Sequence, residues 1–159
     1  MKHNSTAMQL SKIVAAKLSG IASQADSLDA DSLIEAFDLA AKELRPQLAG
    51  DQEFGRELER RVAEWKFMLL SDRPITFEAL TELHSGVGAL GFGSIEKQVT
   101  IELIFARLCH RHGRARERDE AFERLDRAIE AQVDIAPGDV LRDLKKSVSR
   151  CRAELSKSQ

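Results

Sequence analysis

The sequence predicts an all-α fold, and three observations carry that prediction. Apolar residues recur at steps of three and four through nearly every segment, the period of a helix with one buried face. No stretch alternates apolar and polar residues as a half-buried strand does. The composition is that of a helix former: the 159 residues include 3 prolines and no tyrosine, and Ala, Leu, Glu and Arg are plentiful.

Taken in order, residues 6–24 place Leu10, Ile13, Val14, Leu18 and Ile21 on one stripe, with Ser5 as the expected N-cap. A second helix starts near Asp31 and buries Leu33, Ile34, Phe37, Leu44 and Leu48; Pro46 should end it early, because its ring clashes with the carbonyl four residues back. Gly50 stops that segment and Asp51 caps the next. From Gln52 to about Leu70 the stripe is Phe54, Leu58, Val62, Trp65, Met68 and Leu69, with Arg56, Glu57, Glu59, Arg60 and Glu64 mostly opposite. Pro74 breaks the helix, and Thr76 caps a shorter one, Phe77 to His84. Gly86, Gly88, Gly91 and Gly93 then read as a connector, and Ser94 caps the next helix.

The stretch 95–112 is apolar on more than one face through Ile95, Val99, Ile101, Leu103, Ile104, Phe105 and Leu108, so it should be the central helix. Arg118–Val133 comes after it, with Ala121, Phe122, Leu125, Ala128 and Ile129 inward. Beyond the turn at Pro137-Gly138-Asp139, the last helix repeats Leu141, Leu144, Val148, Cys151 and Leu155, a narrow seam against one neighbour.

Bulk properties narrow the class. A hydrophobic fraction of 43% argues against disorder, and the length is enough to bury a core without metal or disulfide staples. No apolar run is long enough to span a membrane, and residues 1–16 lack the compact apolar segment of a secretory signal. Cys109 and Cys151 are too few for a disulfide framework, which fits a cytoplasmic protein. The net charge of −2 gives no support to bulk nucleic-acid affinity.

The informative stretch is Leu83-His84-Ser85-Gly86-Val87-Gly88-Ala89-Leu90-Gly91. An amphipathic helix, a break and a second helix ending in the histidine precede it; a long apolar helix and another amphipathic one succeed it. This layout resembles the histidine phosphotransfer family, four-helix bundles that carry a phosphoryl group on an exposed histidine. His84 and Gly88 keep that family's His-to-Gly spacing, and Leu90-Gly91 echoes its later apolar-Gly pair about three residues early. Val87 stands where the family usually has lysine, and Gly86 where it has an apolar residue. The resemblance covers roughly residues 51–133. It implies His84 as phosphoacceptor, Ser85 and Gly88 beside it, Lys97 or Arg107 as substitute cations, and a response-regulator receiver domain or histidine kinase as partner. The receiver would supply the Mg²⁺, so this chain needs no cofactor or metal of its own. The chemistry is consistent, since a neutral imidazole nitrogen is the nucleophile and a glycine one turn away leaves room for an incoming acyl phosphate.

Other signals have simpler readings. Residues 86–91 match Gly-x-Gly-x-x-Gly, but no strand precedes them. Ser85–Gly88 also looks like a helix-hairpin-helix turn, a minor nucleic-acid alternative. Arg107, His110, Arg111, His112, Arg114, Arg116 and Arg118 form a basic stretch interleaved with and trailed by Glu117, Asp119, Glu120 and Glu123; internal pairing is the simpler reading and an anionic-partner patch the other. Cys109, His110 and His112 point in different directions on one helix and do not make a zinc site. Phe105, Leu108, Cys109, His112, Ala121, Leu125 and Ala128 fall at intervals resembling one tetratricopeptide repeat, without a second copy.

The expectation is therefore an all-α protein with an antiparallel four-helix bundle over 51–133, an N-terminal helical pair over 1–48, and a C-terminal helix, 138–157, docked on the bundle. It is a phosphocarrier or binding protein rather than a conventional enzyme. The competing reading is a non-enzymatic adaptor or regulatory module using the seam at 141–155, which also leaves a homodimer open.

Overall fold

The computed structural model describes the backbone of residues 2–48, 50 and 52–157, and among these it is all-α, with no strand. The helices are α1 (Lys2–Ser23), α2 (Ala30–Leu44), α3 (Gln52–Leu70), α4 (Phe77–Leu90), α5 (Ile95–Arg111), α6 (Ala115–Glu130) and α7 (Gly138–Lys157), with short 3-10 turns at Ala25–Ser27 and Arg45–Leu48. The chain divides into two compact units, Met1–Gly91 and Phe92–Gln159. The bundle expected over 51–133 would draw two helices from each.

In the first unit, α1, α2 and α3 pack on one another and α4 packs on α3. Val14 and Leu18 of α1, Leu33, Phe37 and Leu44 of α2, and Leu58 and Val62 of α3 meet in one apolar cluster. Ser5 lies inside α1 rather than capping it, because the helix begins at Lys2. The cap that does form is Asp29: Ser32 N–H donates to its Oδ1 at 2.7 Å, and that bond holds the carboxyl below its ordinary pKa of 3.8. The placement of the Leu10 and Leu48 side chains, and of Asp51, lies outside the described residues. Arg73 ties the α3–α4 loop to the α1–α2 turn by donating to the carbonyls of Leu28, at 2.7 Å, and Ala25. On α3, Phe67 and Leu70 take core positions, and Glu64 is buried rather than solvent-facing.

In the second unit, α6 folds back on α5, and α7 lies against both. Ser94 caps α5 by accepting from Lys97 N–H at 3.1 Å, and Gly113 turns the chain at φ +70°. α6 begins at Ala115, three residues before the expected Arg118, and ends at Glu130. The α5 stripe is buried on several sides, through Val99, Ile101, Leu103, Phe105 and Leu108. Glu102, 1% exposed, is buried among them, and Arg124 Nε of α6 donates to its Oε2 at 2.7 Å. Leu141, Val148 and Cys151 of α7 are buried within the unit. The seam therefore closes this unit, its central apolar residues committed to the unit's own core.

Candidate functional site

The candidate histidine stands on α4. Thr76 starts this helix by accepting from Ala79 N–H at 3.1 Å, and Gly91 ends it at φ +81°. The helix does not stop at His84 but runs through Gly86 and Gly88 to Leu90. This overturns the glycine connector after His84, the helix-hairpin-helix turn at Ser85–Gly88, and the placing of His84 at a helix end. Most of the Gly-x-Gly-x-x-Gly string is likewise helical, its amides engaged in helix bonds instead of open to a pyrophosphate. The physical cause is an apolar ridge at Leu80, Leu83, Val87 and Leu90, with steps of three, four and three. Leu80 and Val87 are fully buried, and that burial outweighs the roughly 1 kcal/mol each glycine costs a helix relative to alanine.

His84 is half-buried, and its ring tilts against the buried Phe67 of α3, with centroids 5.8 Å apart and planes at 57°. Ser85 and Gly88 are exposed, and a Cβ at Gly88 would meet nothing within 4 Å. Val87 is 0% exposed, so the turn where the phosphotransfer family carries lysine faces the core here and presents no cation. Lys97 and Arg107 both lie on α5, Lys97 half-buried in its first turn and Arg107 exposed. Ten residues of helix place them about 15 Å apart along the axis, two separate charges rather than one cradle.

Beside α4 the first unit has a groove of about 240 Å³ between α2, α3 and α4. Ala41, Val62, Ala63, Leu83, Gly86 and Leu90 form its apolar lining. Asp38, Arg45, Glu59, Lys66 and Glu82 surround it, with Lys66 paired to Asp38, and Arg45 to Glu59 at 3.2 Å. No motif or periodicity in the sequence points to it. Ala41, Ala63 and Gly86 are individually common residues, and only the meeting of three helices makes their small size a surface feature.

The basic stretch is largely paired within itself. Arg114 bridges to Glu117 at 3.7 Å, Arg116 to Glu120 at 3.1 Å and Arg118 to Asp119 at 3.1 Å, while Arg118 also donates to His110 Nδ1 at 2.9 Å. Cys109 is buried, and desolvation pushes its thiol from 9.0 up to about 12, which disfavours the thiolate form. No cluster of metal-ligating side chains occurs among the described residues. None of the described helices is long and apolar enough to cross a membrane.

Fold and site together define an all-α protein with a side-chain-sized groove. The chain matches no protein-family model, no curated protein and no solved structure.

Proposed function

We propose that this chain is a non-enzymatic helical module that works by binding another protein, and that α4 is the element that meets the partner. The observation that carries the reading is the groove held open beside Gly86. Its apolar lining within a charged rim is the anatomy of a protein-docking site. Gly86 and Gly88 support it further. Both sit mid-helix, and a Cβ at either would meet nothing within 4 Å, so their cost to the helix is not repaid by any close approach inside the chain. The buried thiols fit a reducing, cytoplasmic setting.

The test is a photo-crosslinking residue placed at exposed Ala89 and, as a control, at exposed Arg116. A discrete protein adduct from position 89 in cells, absent from position 116, is the expected result. Equal or absent crosslinking from position 89 removes the reading.

A narrower reading makes that partner a receiver domain and His84 a phosphoacceptor. The part-exposed ring, backed by Phe67 and with an open flank at Gly88, favours it. A neutral ring nitrogen attacks the phosphorus of an aspartyl phosphate, the P–O bond to the aspartate breaks, and the carboxylate leaves. Incubation with a phosphorylated receiver should label the wild type and not His84→Gln. Lack of label on the wild type across a panel of receivers removes phosphoryl transfer and leaves the binding module standing.

A further inference from the structure

The groove between α2, α3 and α4 has a chemistry that selects among partners. Its exposed rim is weighted toward acid. The side chains of Asp38 and Glu59 are 61% and 48% exposed, and Glu82 is exposed too. Against them stands Arg45, 58% exposed and already paired with Glu59. Lys66 is withdrawn to 17% beneath the more exposed Asp38 it is bonded to, and with the second pair, Arg45 and Glu59, the rim keeps one excess negative charge, that of Glu82.

We propose that this groove takes a basic amphipathic helix of a partner protein, one apolar side chain seated against Ala63 and Gly86 and its flanking lysines or arginines facing Asp38, Glu59 and Glu82. The inference rests on the protein-binding reading above and adds the class of partner. A helix fits better than an extended peptide. The groove walls are helices with internally bonded backbones, so a strand would find no main-chain partners there, whereas a helix arrives with its own amides satisfied. The one excess negative charge on the rim favours a cationic partner over nucleic-acid phosphate or anionic lipid.

A second copy of this chain is a poorer occupant. Its two most basic helices, α1 and α7, already commit Val14 and Leu18, and Leu141, Val148 and Cys151, to their own units' cores.

The experiment titrates the full chain with a fluorescent leucine/lysine amphipathic helix of about five turns, and with a leucine/glutamate peptide of the same apolar pattern. The leucine/lysine peptide should bind the wild type about tenfold more tightly than its acidic counterpart. Gly86→Leu fills the groove and improves helix propensity, so it should fold and weaken binding about tenfold. Ala63→Phe, from the α3 wall, should do the same independently. Glu82→Lys should weaken binding about threefold at low salt and less at high salt. If both peptides bind equally and Gly86→Leu abolishes both, the groove is a docking site but the basic-partner inference falls. If neither Gly86→Leu nor Ala63→Phe changes binding, both the inference and the groove reading fall. A concentration-dependent dimer of the wild type that Gly86→Leu disperses would replace the basic helix by a second copy, and so overturn the proposal.

Discussion

In Phe92–Gln159, three helices pack along stripes visible in the sequence and leave grooves bordered by charged residues; in Met1–Gly91, the last helix carries two glycines at which a Cβ would meet nothing within 4 Å, and it borders a groove lined by small apolar residues. Both units bury large apolar side chains completely, Phe37 in the first and Leu125 in the second. The difference lies in how their surfaces end. In the second unit α7 buries Leu141, Val148 and Cys151 but leaves two grooves of about 340 and 320 Å³ against α6, bordered by charged residues such as Arg118, Glu123, Lys145 and Arg152. In the first, small apolar residues, Ala41, Ala63 and Gly86, line the groove where three helices meet.

The comparison is broken most sharply through the two cores. Phe37→Ala and Leu125→Ala should each lower the unfolding free energy by about 3–4 kcal/mol in urea titrations. A cost under about 1 kcal/mol for Phe37→Ala would mean that the first unit is loosely packed throughout, and that its groove is only slack.

Next in size is the ion pair of the second unit. Arg124→Leu should cost about 2 kcal/mol, toward the low end for such pairs because Arg124 is 35% exposed. Adding Glu102→Met should recover more than half of the loss, since the desolvated carboxylate then goes too.

A pH effect comes third. The Cys109 thiol ionises near 9.0 when unfolded and about 12 when folded, so its contribution is intact below pH 9 and is lost as pH rises toward 12. Cys151 shifts in the same direction through its own desolvation. The difference in urea midpoint between wild type and Cys109→Ala should therefore shrink across that window, and a constant difference would show that the thiol is not desolvated.

The smallest effects separate two kinds of glycine. Gly86→Ala and Gly88→Ala should each stabilise by about 0.5–1 kcal/mol, because both are helical with open space around them. Gly113→Ala, at φ +70°, should destabilise by about 1 kcal/mol. Thermal melts of the three variants check the opposite signs.

The same contrast explains which features are legible in the sequence. The apolar stripe of α7 is legible because its residues keep one period, but it packs on both α5 and α6 rather than on the one neighbour the narrow seam predicts. Its neighbour α5 is recognisable as buried on several sides because few of its faces are polar. Glu64 and Glu102 are not legible as buried, since a carboxylate enters a core only when the fold brings compensating groups. On α4 the misreading comes from weighing glycine as a breaker. Leu80, Leu83, Val87 and Leu90 keep the helical period through the glycines, and that ridge is the better signal. The burial of Val87 follows from that ridge, so the lack of a cation on the turn after His84 could be read from the same period.

Local periodicity and capping chemistry dictated the helices of this protein, their approximate limits and most of the side chains they bury, because these depend on residues three or four positions apart. Whether a glycine ends a helix or lightens one face of it, which carboxylates go inside, and that Ala41, Ala63 and Gly86 meet around a groove were decided by tertiary packing, because those properties depend on neighbours distant in sequence.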